Sequence, residues 1–251
     1  MSENSYYHSL NPFRSLFETG VPVLTYHKLG PRPGGVRIKG LYMDPELFDR
    51  QVEELSGAGF QTVSLSAPFP AAANPARSVV LTFDDGFRNV HRHALGPLAR
   101  TGMRAVEFIV ADLIGKTNEW DQSAGEVEER LMEEAEIRDW LAAGHDIGSH
   151  SLTHPHLTRI PPAQAREEIG ASKRKLEDRF GRAIEHFCYP YGDWDESVRE
   201  MVREAGYRTA CTTEGGVNTS TTPPLALKRI TARYRSRKLA EWLPRWSWKV
   251  A

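Results

Sequence analysis

The sequence predicts an α/β fold in which parallel strands alternate with helices. The number of predicted strands is close to that of a TIM-like barrel. Short apolar runs alternate with amphipathic segments along the chain, which is the pattern of repeated βα units. There are about seven such runs, close to the number that closes a parallel barrel. The 251 residues, of which 40% are hydrophobic, suffice for one substantial core.

The predicted strands are the apolar runs, and the predicted helices are the amphipathic segments between them. We expect strands at 21–29, 60–65, 79–85, 105–110, 145–149, 186–190 and 209–213. We expect helices at 45–58, 90–100, 126–143, 162–180 and 196–205. The first helix has clear boundaries, because Asp44 can cap its start, Pro45 fits its first position and Gly59 follows its end.

Composition and the terminal sequences restrict the classes of partner and location. The 32 basic and 33 acidic residues nearly cancel, so no overall field favours nucleic acid as a partner. Neither a signal-peptide pattern nor a run of about 18 apolar residues is present, so we expect a soluble, cytoplasmic protein. Cys188 and Cys211 are too few for a disulfide framework, and we expect two buried free thiols. We expect residues 1–20 to be an N-terminal extension and residues 21–251 to be a single domain.

The stretch SVVLTFDDGF ends a strongly apolar strand with two adjacent carboxylates, Asp84 and Asp85. The C-terminal ends of parallel barrel strands converge on one mouth, so side chains there are the first candidates for chemistry. Gly86 lets the chain turn and bring both carboxylates towards one site. If one binds a divalent cation, the other can act as a base beside positive charge. On its own, a DDG sequence also fits a simple turn that begins a helix.

A second predicted strand leads into GSHSLTHPHL, which carries His150 and His154. Histidines four residues apart can lie on one face of a helix or turn and bind one metal ion. With one carboxylate from TFDDG they would form a His2Asp site that leaves a position for water. Imidazoles also serve as polar caps, so the spacing alone is weak. Its combination with TFDDG at another strand end favours the metal site.

The stretch HFCYPYGDWDES follows a third predicted strand and offers a rigid turn with aromatic side chains. Pro190 stiffens this turn, and the backbone N–H groups of the other turn residues could face the metal. Tyr191 or Trp194 gives a flat surface suited to a sugar ring. Trp194 could equally pack against the barrel rim.

TFDDG, HSLTH and YPYG, in this order and each at a predicted strand end, resemble the polysaccharide deacetylase family built on the NodB homology domain. The resemblance runs from about residue 21 to residue 230. It implies a distorted (β/α) barrel of about seven parallel strands. It also implies removal of N-acetyl groups, most often from N-acetylglucosamine polymers, with a divalent metal. Zinc is the first choice for that metal, with cobalt or another divalent ion as alternatives.

Carried over by position, the resemblance assigns a role to each motif residue. Asp84 would be the general base, and Asp85, His150 and His154 would be the metal ligands. Tyr191 would lend its backbone N–H to the oxyanion. These roles suit the reaction, because an amide carbonyl is a poor electrophile and needs polarisation while a base takes the proton of the attacking water.

The sequence departs from the family pattern at the general acid. Members usually carry a histidine in a late LxH motif, whereas this chain has no histidine after His186. His27, in VPVLTYHKLG, ends the first predicted strand and so faces the same mouth. This arrangement resembles a YHxL-type subgroup in which an early histidine takes that role, and we assign His27 as the general acid. The alternative is that His27 only caps its strand.

Two further departures concern the surroundings of the base. Cys188 stands where many members have an arginine that pairs with the catalytic aspartate, and Arg229 is a candidate substitute. Glu107 stands where the family usually has an apolar residue, and it could pair with an arginine or reach the substrate. His156 could orient the loop that carries the ligand histidines.

The C-terminal segment LKRITARYRSRKLAEWLPRWSWKVA combines basic residues with Trp242, Trp246 and Trp248. Such a pattern can contact a membrane surface or a lipid-linked sugar. It more often closes a barrel floor with its aromatic rings and leaves the charges in water. Both interpretations remain open from the sequence.

Taken together, the residues predict a metal-dependent N-deacetylase that releases acetate from an N-acetylated sugar in bacterial surface-polysaccharide metabolism. An amidohydrolase of a small non-sugar amide or ureide is one alternative. A glycan-binding pseudoenzyme is another, although a binding module has no reason to keep a base next to a metal. The sequence does not determine the sugar or the oligomeric state.

Overall fold

Eleven strands form the sheet structure of the protein in a computed structural model that describes residues 13–67, 69–71 and 73–232. In chain order they are β1 (Val21–Tyr26), β2 (Lys28–Leu29), β3 (Tyr42–Met43), β4 (Gln61–Thr62), β5 (Ser78–Asp85), β6 (Ala105–Ile109), β7 (Asp146–Ser149), β8 (His186–Cys188), β9 (Thr209–Gly215), β10 (Val217–Asn218) and β11 (Leu227–Thr231). Seven of them, all parallel, close a ring in the order β1-β5-β6-β7-β8-β9-β11. The predicted α/β barrel of about seven parallel strands is confirmed.

Six α-helices accompany the barrel in the described residues. They are α1 (Arg14–Phe17), α2 (Pro45–Gly57), α3 (Arg88–Thr101), α4 (Glu134–Ala142), α5 (Pro162–Phe180) and α6 (Glu196–Glu204). The start of α2 is as predicted, because the Asp44 carboxylate accepts from the Glu46 N–H and Pro45 occupies the first turn. None of the described helices is both long and apolar enough to cross a membrane.

The membership of the ring differs from the sequence prediction at one strand. Residues 60–65 were expected to form a barrel strand, but only Gln61–Thr62 is extended, and it pairs with the start of β5 outside the ring. The seventh ring strand is β11, which closes the barrel between β9 and β1. Its sequence LKRIT carries a lysine and an arginine among few apolar residues. The strand was not predicted, because its buried arginine interrupts what would otherwise be an apolar run.

The predicted helix over 126–143 is wrong in its first half, because α4 begins only at Glu134. A 3-10 helix covers Glu119–Ala124, and single bridges join Thr117 to Arg130 and Phe87 to Leu131. The Glu126 carboxylate accepts the Ile38 N–H at 2.7 Å. It therefore serves the backbone of a loop rather than a helix surface.

Two apolar clusters divide the core. The smaller cluster includes inward-facing ring residues such as Val80, Val106 and Phe108, and the larger one fills the space between the ring and the helices. Cys188 and Cys211 are buried free thiols in the inner cluster, as predicted. The prediction for residues 233–251, with Trp242, Trp246 and Trp248, lies outside the described residues. The division at residue 20 and the cytoplasmic location stay predictions.

We expect Gly148→Ala to destabilise the barrel by about 1–3 kcal/mol, because an added methyl group has no space. Gly148 on β7 is paired in register with Phe108 on β6. A Cβ at Gly148 would lie 2.5 Å from the Phe108 ring and 2.9 Å from the His186 carbonyl oxygen. Urea unfolding measures the change in the free energy of unfolding.

Gly170→Ala is the matched control. Gly170 lies inside α5, where a Cβ would meet the flexible Arg174 side chain at 3.2 Å. The control should raise the free energy of unfolding by about 0.5–1 kcal/mol, because alanine favours a helix over glycine. Equal effects of the two substitutions would contradict the packing argument.

Candidate active site

The motif residues converge at the C-terminal ends of the ring strands, as the barrel topology predicts. Asp84 and Asp85 end β5, His150 follows β7, and His27 follows β1. The 3-10 turn Pro190–Gly192 follows β8. The structure thus brings residues far apart in sequence to one mouth.

Asp85, His150 and His154 form a compact, buried donor set. The Asp85 Oδ1 atom lies 3.3 Å from His150 Nε2 and 3.4 Å from His154 Nε2. All three residues are at most 4% exposed. One carboxylate oxygen and two imidazole nitrogens that converge in this way match the ligand set of a catalytic zinc site with three protein ligands.

The backbone reaches this arrangement through left-handed conformations at non-glycine residues. Asp85 has φ 82°, Ser151 has φ 66° and His154 has φ 66°. Each such residue costs of the order of 1–2 kcal/mol and persists only where surrounding contacts fix it. The strain therefore falls on two of the candidate ligands and on the loop between the two histidines.

A hydrogen bond to the ring orients His150, whereas His154 is held through its backbone. His150 Nδ1 lies 2.7 Å from the Cys188 carbonyl oxygen, so this nitrogen carries a proton and Nε2 is the ring atom directed at Asp85. The His154 backbone N–H donates to Ser151 Oγ at 3.0 Å. The buried His154 Nδ1 atom has no hydrogen-bond partner among the described residues.

Asp84 forms its two strongest hydrogen bonds with an arginine. Arg229 on β11 binds it with two hydrogen bonds, Nη1 to Oδ1 and Nη2 to Oδ2, each 2.7 Å long. Burial alone would raise the pKa of Asp84, but Arg229 and the nearby His27 hold it below its ordinary value. Asp84 is therefore a charged carboxylate at neutral pH.

Arg229, which the sequence offered only as a candidate, is fixed by several contacts. Its Nε donates to the Thr212 carbonyl oxygen at 2.8 Å, and its Nη2 lies 3.2 Å from the Cys188 sulfur. Cys188 occupies the position of the arginine expected from the family pattern. The small thiol leaves room for a guanidinium that arrives from a different strand.

His27 lies on the other side of Asp84. Its Nε2 atom is 3.6 Å from Asp84 Oδ2, and its side chain is 22% exposed. Burial lowers the pKa of His27 despite the attraction of Asp84 and Asp85. The imidazole therefore lies between Asp84 and the open mouth, and it is uncharged at neutral pH.

The aromatic residues of the third motif separate into two groups. Tyr191, with φ 59° and 45% exposure, stacks on His156 at a ring distance of 3.9 Å. Its ring also meets the edge of His154 at 4.5 Å. Trp194 instead stacks on Tyr189 at 5.8 Å, so its ring packs along the rim. The buried Pro190 begins the turn that presents Tyr191.

Two residues at the site were not predicted from the sequence. Trp120 lies 4.6 Å from the His154 ring and forms one wall of the donor set. Glu168 on α5 accepts the N–H groups of Leu152 and Thr153 at 2.9 Å each and the Thr153 hydroxyl at 2.7 Å. No local motif marks either residue, because both reach the site through tertiary packing.

The family model for polysaccharide deacetylases matches residues 71–210, more than half of the chain. The chain therefore belongs to the polysaccharide deacetylase family. The predicted family and the prediction of a deacetylase enzyme are confirmed, while the YHxL-type subgroup stays a prediction.

Particular relatives agree with this assignment. The protein YxkH of Bacillus subtilis (strain 168) is 24% identical over 214 residues, which cover 84% of this chain and 70% of that protein. A chitooligosaccharide deacetylase of Bradyrhizobium sp. (strain ANU 289) is 29% identical over 132 residues, 52% of this chain and 53% of that enzyme. The crystal structure of BC0361, a polysaccharide deacetylase from Bacillus cereus, superposes with a TM-score of 0.72 at 25% identity, covering 90% of this chain and 69% of that chain.

We expect Glu168→Ala to weaken metal binding at Asp85, His150 and His154 by about ten-fold, because the loop between the two histidines loses three hydrogen bonds. Competition between the protein and a metal-binding dye measures the dissociation constant of zinc. Glu167→Ala is the control, since Glu167 is exposed and pairs loosely with Arg174 at 3.6 Å. Unchanged zinc affinity in Glu168→Ala would show that the loop holds its shape without this carboxylate.

Proposed function

We propose that the protein is a metal-dependent N-deacetylase that hydrolyses the acetamide of an N-acetylated sugar and releases acetate. The observation that carries this proposal is the buried donor set of Asp85, His150 and His154 beside a separate charged carboxylate, Asp84. Family membership supports the reaction class. The name of the Bradyrhizobium relative supports an oligosaccharide or polysaccharide of N-acetylglucosamine type as the substrate.

The donor set fits a divalent metal, and zinc suits it best. The ligand atoms of Asp85, His150 and His154 lie within 4.8 Å of one another. Two imidazoles and one carboxylate would hold the ion through three protein ligands and leave it open to substrate or water. A bound ion would supply Lewis acidity towards the amide carbonyl and make water easier to deprotonate.

Asp84 is the residue best placed to take a proton from the attacking water. It lies next to the donor set but directs its hydrogen bonds to Arg229, so it stays outside the ligand group. The guanidinium keeps the carboxylate ionised and fixes its plane. Thr25 Oγ1, 3.4 Å from Asp84 Oδ2, adds a weak contact on the same oxygen.

His27 is the residue best placed to pass a proton to the departing amine. The carbon–nitrogen bond of the amide can break only when the nitrogen gains a proton, and Asp84 gains one in the preceding step. His27 Nε2 is 3.6 Å from Asp84 Oδ2 and borders the open mouth. Water adds to the carbonyl carbon, the amine leaves with the proton, and acetate and a free amino sugar result.

The third motif supplies the surface for the sugar. The left-handed backbone of Tyr191 turns the chain at the mouth, so its N–H group is our candidate for a donor to the oxyanion. The exposed Tyr191 ring, stacked on His156, offers an aromatic face to a pyranose ring. Trp194 is a weaker candidate for sugar contact, because its ring is engaged with Tyr189.

The deciding experiment measures acetate release from chitin oligomers and UDP-N-acetylglucosamine. Release should disappear when the metal is chelated and return with zinc or cobalt. Asp84→Asn should lower kcat by about a hundred-fold or more, because an amide cannot accept the proton. Asp49→Asn is the matched control, since Asp49 pairs with Arg100 at 2.5 Å on the surface away from the mouth.

The result also separates the alternatives. Stoichiometric metal binding without acetate release from any N-acetyl sugar would contradict the sugar substrate and direct the assay to small amides and ureides. Metal binding without hydrolysis of either class would favour a glycan-binding pseudoenzyme. Release that survives in Asp84→Asn would remove Asp84 from the role of base.

We expect Arg229→Lys to move the acid limb of the kcat/KM profile to higher pH. Arg229 holds the pKa of Asp84 below its ordinary value, and a lysine keeps the charge but loses the two-pronged contact. The Asp84 pKa should rise, so the ionised base is lost at a higher pH as the solution is acidified. A pH profile of kcat/KM that coincides with that of the wild type would show that the paired hydrogen bonds of Arg229 do not control the pKa of Asp84.

A further inference from the structure

Glu107 is a buried carboxyl group in an apolar layer of the protein. It lies on β6 and is 0% exposed. Its strand neighbours Val106 and Phe108 belong to the cluster inside the ring, whereas Ala105 and Ile109 belong to the cluster under the helices. Because side chains alternate along a strand, Glu107 shares the outer layer with Ala105 and Ile109.

One hydrogen bond accounts for the polar contacts of this side chain. Glu107 Oε1 accepts the backbone N–H of Gly86 at 2.9 Å. Its Oε2 atom has no hydrogen-bond partner, and no ion pair reaches the carboxyl group, among the residues that the structure describes. Neither arginine pairing nor substrate contact, the two roles considered from the sequence, explains the residue.

Packing does not explain it either. A buried carboxyl group with one satisfied oxygen stabilises a fold less than an apolar side chain of the same size. Burial raises the pKa of Glu107 well above its ordinary value, and the charges of Asp84 and Asp85 raise it further. The group is therefore a neutral acid at neutral pH, and glutamine is its closest isostere.

The hydrogen bond reaches the backbone next to a candidate metal ligand. Asp85 and Gly86 have φ values of 82° and 78°, two successive left-handed residues at the end of β5. The Gly86 carbonyl oxygen accepts the Met132 N–H at 2.8 Å. Glu107 and Met132 thus hold the N–H and the C=O of Gly86 from two different segments.

We propose that Glu107 is a positioning residue that holds the turn after β5 and so aims the Asp85 carboxylate at His150 and His154. This inference rests on the proposed metal-dependent function. The strained φ of Asp85 persists only if the turn is fixed, and Gly86 is the residue through which Glu107 fixes it. The departure of Glu107 from the apolar family pattern is then a feature of this chain's metal site rather than of its core.

The test compares Glu107→Gln, which keeps an acceptor, with Glu107→Met, which keeps the volume and removes it. Hydrogen exchange of the Gly86 amide is measured in metal-free protein, and cobalt affinity is measured by absorption titration. Glu107→Gln should match the wild type within about two-fold in both. Glu107→Met should exchange Gly86 at least about ten-fold faster and bind cobalt about ten-fold more weakly.

Glu177→Met is the matched control for general loss of stability. Glu177 lies on α5 and accepts the Ile184 N–H at 3.0 Å, away from the mouth. It should lower the melting temperature and leave the Gly86 exchange and cobalt affinity unchanged.

The outcomes separate this proposal from the proposed function. The role of Glu107 would be overturned if Glu107→Met kept wild-type cobalt affinity and wild-type Gly86 exchange. This holds whether or not its melting temperature is lower. If the wild type itself binds no cobalt, the proposed function fails. The exchange of Gly86 then decides alone whether Glu107 holds the turn.

Discussion

The buried ion pair between Asp84 and Arg229 is the interaction on which the barrel mouth depends. β5 and β11 lie on either side of β1 in the ring, so the pair bridges the two neighbours of the first strand. Both side chains are at most 3% exposed. Loss of one partner would leave an uncompensated charge in the barrel, at a cost of about 3–5 kcal/mol. The same contact keeps the Asp84 carboxylate ionised and separate from the candidate ligands, so one ion pair serves both ring closure and the proposed base.

The candidate metal ligands are held in a different way, because their strained backbone is fixed by polar contacts from outside the donor set. Asp85 and His154 both have positive φ. Glu168 secures the loop between the two histidines through its amides, and the Cys188 carbonyl oxygen orients the His150 ring. These contacts fix the donor set from outside, which would reduce the reorganisation that metal binding requires. Its supports come from α5 and β8, two successive elements that carry none of the three candidate ligands.

Local sequence revealed those parts of the site whose signals are local. TFDDG and HSLTH each combine an apolar strand with polar residues at its end, so both the strand and the candidate ligands could be predicted. The strand that carries Arg229 was missed, because its arginine is buried by an ion pair rather than by apolar character. Trp120 and Glu168 reach the site through tertiary contacts, and no spacing of residues in the sequence predicts them. The first half of the predicted helix over 126–143 was wrong because carboxylates that bind loop amides resemble those on a solvated helix.

The partner of Asp84 follows it by 145 residues in the chain. During synthesis from the N-terminus, the first two motifs emerge long before the strand that balances the charge of the base. A nascent chain without that strand has an open ring and an unpaired aspartate, both of which oppose compaction. Contacts of such separation also slow folding, because a long loop must close before they form. The order of the strands thus makes barrel closure depend on the last ring strand. A chain in which this strand has not yet been synthesised can form neither a closed barrel nor a complete mouth.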